Sequence, residues 1–151
     1  MTRRFIGWWV GINVVLLILF YHQRQPSLPQ PRNWTSLTLL QPDGDLHLIK
    51  ANDGTWLLDN QQVQSALVEN IERLMKQECR HVFPESEFKL TRHNPRHFRI
   101  NTYEYSISNH NSYAEAHYVH HQGEVYLCHE RLKSLIATPR EVWLSQSPKA
   151  L

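Results

Sequence analysis

His117, His120, His121 and His129 crowd the last third of the chain beside Cys128. Imidazoles and a thiolate are ligands for copper or zinc. If Gln122-Gly123 is a two-residue hairpin turn, His121 faces Glu124, His120 faces Val125 and His117 faces Cys128. Side-chain alternation then sets His117 and His121 on one face with Val119 and turns His120 to the other. His117 and His121 stand about 13 Å apart along such a strand, too far to share an ion without a third element between them. A metal centre would rest on Cys128 and His117 with a ligand from elsewhere. Histidines on a half-solvated sheet are the plainer reading, so no cofactor is expected.

Cys79 and Cys128 are the two cysteines. They are a disulfide or two separate thiols, and their spacing matches no zinc or haem pattern. Both fall in a domain expected to face an oxidising compartment, where thiols pair. A bridge would close a loop of about 50 residues and contribute roughly 3–4 kcal/mol. Nucleophilic catalysis lacks a G-x-S-x-G elbow. Cys128 and His129 are neighbours on a strand and point to opposite faces. Glu85 and Glu87 read as solvated carboxylates in a polar loop. Neither a phosphate-binding nor a dinucleotide motif occurs, and five glycines offer few backbone cradles. The chain is therefore expected not to be an enzyme. Tyr113, Tyr118 and Tyr126, interleaved with His117, His120 and His121, instead suggest a docking face for a partner. Strand propensity and core packing are the other use of such tyrosines.

These residues need a scaffold, and the chain's 151 residues suffice for one domain. A charge of +2 gives no argument for nucleic acid. Ser36–Leu40, Leu46–Lys50 and Thr55–Leu58 read as strands, joined at Pro42-Asp43-Gly44-Asp45 and Asn52-Asp53-Gly54. A helix follows, capped by Asp59 or Asn60, with Val63, Ala66, Leu67, Ile71, Leu74 and Met75 on its apolar stripe. It runs to about Gln77 or Cys79. Residues 81–96 read as irregular. Phe98–Asn101 and Tyr103–Ile107 are strand material, and a loop covers Ser108–Ser112. Tyr113–His121 and Glu124–His129 form the last hairpin, before a short helix over Arg131–Ile136. The expected class is α+β: a small antiparallel sheet covered by one long amphipathic helix, with a short C-terminal helix.

This order resembles the bacterial domain of unknown function 4340 family over roughly residues 34–144. The resemblance rests on Trp56 closing the opening meander, then the amphipathic helix. Phe88-Lys89-Leu90 with Pro95 and the strand after it extend it, and Tyr118–Leu127 with the terminal helix completes it. Lys89 stands where members often have glycine. The resemblance implies a membrane-anchored extracytoplasmic domain and supplies no catalytic residue.

Phe5–Tyr21 is uncharged, and Asn13 is its one strongly polar residue. Such a stretch predicts a transmembrane helix. Arg3 and Arg4 ahead of it place residues 1–4 in the cytoplasm and the rest across a bacterial inner membrane. Gly7 and Gly11 form a small-xxx-small pair which, with Asn13, suits contact with another helix or an oligomer in the bilayer. Residues 22–33 hold Pro26, Pro29 and Pro31 and read as a linker. Residues 34–144 then form a periplasmic domain, and 145–151 a loose tail. The expected function is a non-catalytic accessory subunit of an inner-membrane complex, docking through its helix and its domain. The alternatives are a periplasmic copper or zinc handler and a module that binds peptide at a sheet edge.

Overall fold

The computed structural model describes residues 13–16, 27–87 and 91–144. Their strands are β1 (Ser36–Leu40), β2 (Leu46–Lys50), β3 (Trp56–Leu58), β4 (Gln61–Gln62), β5 (Cys79–Pro84), β6 (Arg96–Ile100), β7 (Tyr103–Asn111), β8 (Ala116–His121) and β9 (Glu124–His129). Helix α1 (Ser65–Gln77) lies between β4 and β5, and the short α2 (Arg131–Ile136) and α3 (Arg140–Leu144) follow β9. All nine strands join one antiparallel sheet in the order β4-β3-β2-β1-β6-β7-β8-β9-β5.

One face of this sheet is apolar because the alternation of β1, β2, β6 and β7 stays in phase across the pairings. Leu48, Leu37, Ile100 and Tyr103 follow one another across the ladder, as do Leu46, Leu39, Phe98 and Tyr105. Val68, Ile71, Leu74 and Met75 of α1 pack on that face, with Leu132 and Ile136 of α2 and Trp143 of α3. Glu69, Glu72, Arg73 and Lys76 occupy the outer side of α1, where Lys76 pairs with Glu72 and Arg73 with Glu78. The buried stripe spaced at three and four residues is what makes this segment a helix.

The expected architecture is corrected in three places. First, the sheet dominates. The helix expected to cover it has 13 residues and begins at Ser65, not near Asp59. Asp59 and Asn60 both adopt positive φ (50° and 64°) and form the tight turn from β3 to β4. Two left-handed residues in succession match the right-handed twist of a hairpin. Their short polar side chains, read as helix caps, suit that turn equally well.

Second, the segment read as irregular contains a strand. Cys79–Pro84 forms β5, paired to β9 with a bulge between His81 and Phe83. Edge position, the bulge and Pro84 hide its alternation in the sequence.

Third, no helix among the described residues is long and apolar enough to cross a membrane. A 13-residue helix rises only about 20 Å, against the ~30 Å of a hydrocarbon core, and the outer side of α1 is charged. The single-pass anchor is corrected on that finding, and with it the inner-membrane and periplasmic placement drawn from it. Of the expected span, only Asn13–Leu16 is described, as a short helical piece with Val14, Val15 and Leu16 exposed. Gly7 and Gly11 lie outside the described residues, as does the tail after Leu144. The linker is described from Ser27, which bridges to Arg80 of β5.

Candidate functional site

Cross-strand pairing puts His97 of β6, Ser106 of β7, His120 of β8 and Val125 of β9 in one row on the second face of the sheet. The pairing of β7 with β8 slips by one residue between Ile107 and His110. Ser108 and Asn109 therefore both oppose Tyr118, and both reach the second face. There Glu85 and residues 91–93 lie against the sheet. Asn109 Nδ2 donates to the Thr91 carbonyl (2.6 Å), and its Oδ1 accepts from the His93 N–H (2.8 Å). The Glu85 N–H donates to the Gly123 carbonyl (2.7 Å), and Arg92 pairs with Glu85.

His120 is sealed beneath this roof at 4% exposure. Its Nε2 lies 3.1 Å from Ser108 Oγ. Its Nδ1 lies 3.3 Å from Glu85 Oε1, close enough to feel the charge, yet it makes no aligned hydrogen bond. Ser106 Oγ, on a residue 7% exposed, also has no partner. Both residues line a cavity of about 260 Å³ together with Glu85, Arg92, His97 and Glu104. Arg99 engages Glu104 from outside it (2.5 Å). Buried polar atoms are nearly always paired with protein or water. His121, which also lines it, has an unbonded buried Nε2, and three such atoms on the residues of one cavity mark a place for a guest.

Ser108, His120 and Glu85 stand in the order hydroxyl, imidazole, carboxylate, the order of a nucleophilic triad. Ser108 is completely buried, however, and does not line the cavity. An incoming carbonyl has no approach to its oxygen. The contacts hold the imidazole between Ser108 and Glu85, with Nδ1 on the side of the carboxylate and the cavity.

Burial pushes the His120 imidazole below its ordinary pKa and Arg92 adds to this, while Glu85 opposes. Burial likewise lowers His117. Arg92 holds the Glu85 carboxyl below the usual carboxylate range. A histidine whose folded pKa lies below its unfolded value takes up more protons when unfolded. The stability contributed by its neutral ring is complete above the unfolded value of about 6.5 and is lost as pH falls below it. The urea midpoint is thus expected to drop between pH 7 and pH 5, and His120→Gln to make the drop shallower. A midpoint flat over that range contradicts the assignment.

The residues expected to form one docking face do not share a surface. Tyr113 is fully exposed on the turn before β8. Tyr118 is half-buried on the second face beside Phe83 (centroids 6.3 Å apart). Tyr126 packs in the core on the opposite face. His117 donates from Nδ1 to the Ser108 carbonyl (2.8 Å), which Lys133 also contacts (3.2 Å). His121 is stacked on Tyr105 (4.6 Å) and donates from Nδ1 to the Glu104 carbonyl (2.7 Å). Strand alternation divides the cluster, and burial takes up most of it.

Cys79 and Cys128 are direct cross-strand partners and form a disulfide. The Cys128 sulfur is thereby withdrawn from the metal set read with His117, and no group of three candidate ligands occurs among the described residues. A second hollow of about 500 Å³ lies beside the disulfide, lined by Glu78, Arg80, Glu115 and Leu127 among others. No unpartnered buried polar side chain faces it.

The signal for the site was present in part. Alternation turned His120 away from His117 and His121, but Glu85 and Arg92 carry no local mark of folding back over it. No family model matches this chain, and neither does any curated protein or solved structure. The resemblance to the domain of unknown function 4340 family rests on its quoted residues alone.

Proposed function

We propose that the chain is a non-catalytic accessory subunit of a larger assembly, and that its contact with a partner is made at the cavity under the segment after β5. One observation carries this reading: Ser106 Oγ and His120 Nδ1 are buried at that cavity without an aligned hydrogen bond, while the Ser108 hydroxyl beside His120 is sealed. Open acceptors and a closed nucleophile suit recognition and do not suit turnover.

The peptide-at-an-edge alternative has less support. Among the described strands, β4 ends the sheet with two residues. At the other end, β5 is blunted by Arg80, a bulge, Pro84 and the bridge from Ser27. The metal-handling alternative is weakened by the disulfide at Cys128.

Tagged full chain purified from its native host tests the proposal. Wild type should retain a defined partner that His120→Leu loses, with both proteins folded. Hydrolysis of an ester or amide by wild type, abolished in Ser108→Ala, would overturn it.

A further inference from the structure

The chemistry of the cavity also selects its guest, on the reading that it is a recognition site. Arg92 is already engaged by Glu85, and the other nearby guanidinium, Arg99, by Glu104. Among the described residues no guanidinium at the cavity is left over to meet an anion, and an anion would face two carboxylates. Acceptors, by contrast, are in surplus. An ionised carboxylate offers about four lone-pair sites, and Arg92 does not fill those of Glu85. The Ser106 hydroxyl oxygen is free. Burial favours the neutral form of the His120 ring. When Nε2–H donates to Ser108 Oγ, Nδ1 presents a lone pair toward Glu85, an arrangement that a donor placed between the two would favour. Ser106 and His120 are direct cross-strand partners, so their side chains start about 5 Å apart on one face. A single group with several donors and one positive charge satisfies all three acceptors at once.

We propose that this cavity receives a primary ammonium group, held by the Glu85 carboxylate, the Ser106 hydroxyl and Nδ1 of His120. Three N–H donors match three acceptors, and the positive charge is paired with Glu85. The same chemistry is offered by a small free amine and by the amino terminus of a polypeptide.

Full-length chain labelled with ¹⁵N in its histidines provides the test. Methylammonium and tetra-alanine with a free amino terminus should each shift the His120 ring nitrogens saturably, drawing the ring into its Nε2–H form. Tetramethylammonium, acetate and N-acetylated tetra-alanine should not. Tighter binding of the free peptide than of methylammonium assigns the guest to a polypeptide terminus, and the reverse to a small amine. Glu85→Gln should weaken either probe by about tenfold or more. Ser106→Ala, which leaves the Glu85–Arg92 pair intact, should weaken it by a smaller factor. Acetate shifting His120 where methylammonium does not would overturn the ammonium assignment and leave the recognition reading standing. No response to any probe would overturn both.

Discussion

Reducing the Cys79–Cys128 bond should lower the unfolding free energy by about 4 kcal/mol. The two cysteines are 49 residues apart in sequence, and a loop of that length is a large constraint on the unfolded chain. The bond also acts locally. Among the described residues β5 has β9 as its one strand partner and a single bridge to Ser27. Its amide protons should therefore exchange faster in the reduced protein, ahead of those in β6 and β7. Urea unfolding with and without reductant, with Cys79→Ser/Cys128→Ser as the control, gives the free energy. A loss below about 1 kcal/mol would mean that the unfolded chain is already constrained without the bond.

Trp143→Ala should cost roughly 3–5 kcal/mol. This side chain is completely buried although it stands in a five-residue helix near the end of the described chain. Its indole N–H donates to the Thr138 carbonyl (3.1 Å). Gln64, at the start of α1, donates its backbone N–H to the Trp143 carbonyl (3.2 Å) and its side-chain amide to the Val142 carbonyl (3.1 Å). The residue thus closes the core over the end of α1 and holds α3 in place. Trp143→Phe should cost less, about 1–2 kcal/mol, since the Thr138 carbonyl keeps its bond from Gln41 (2.8 Å). Equal, small losses for both variants would show that α3 does not dock.

These two predictions also divide what was legible in the sequence from what was not. The last hairpin was legible in detail. Gln122-Gly123 supplies the two left-handed residues of a tight turn (φ 49° and 79°), which fixes the register of His121 with Glu124 and of His117 with Cys128. The opening meander was legible for the same reason, through turns at Pro42–Asp45 and Asn52–Gly54. Of the stripe read as Val63, Ala66, Leu67, Ile71, Leu74 and Met75, the last three are buried in α1, whereas Ala66 is exposed and Val63 precedes the helix. The start of the helix was not legible, because Asp59-Asn60 serves a turn as readily as a cap.

β5 was missed because an edge strand with a bulge and a proline has no clean alternation. The extension of β7 through Asn111 was missed because Ser108–Asn111 has the composition of a loop. The expected span at Phe5–Tyr21 rested on local pattern, and no helix among the described residues, which include only Asn13–Leu16 of it, is long and apolar enough to cross a membrane. The site is the least legible part, since it joins Glu85 to His120, residues brought together because β5 pairs with β9 and sets Glu85 beside Gly123. Local pattern cannot report a contact of that kind. It did report that His120 faces away from its neighbours, which is the half of the site that strand geometry determines.

A high-resolution crystal structure of the full chain, read at one place, examines the account most directly. Electron density for a guest should fill the hollow between the second sheet face and the returning segment, within hydrogen-bond distance of both Ser106 Oγ and His120 Nδ1. Finding those two atoms instead bonded to protein groups, with the hollow closed, would contradict it.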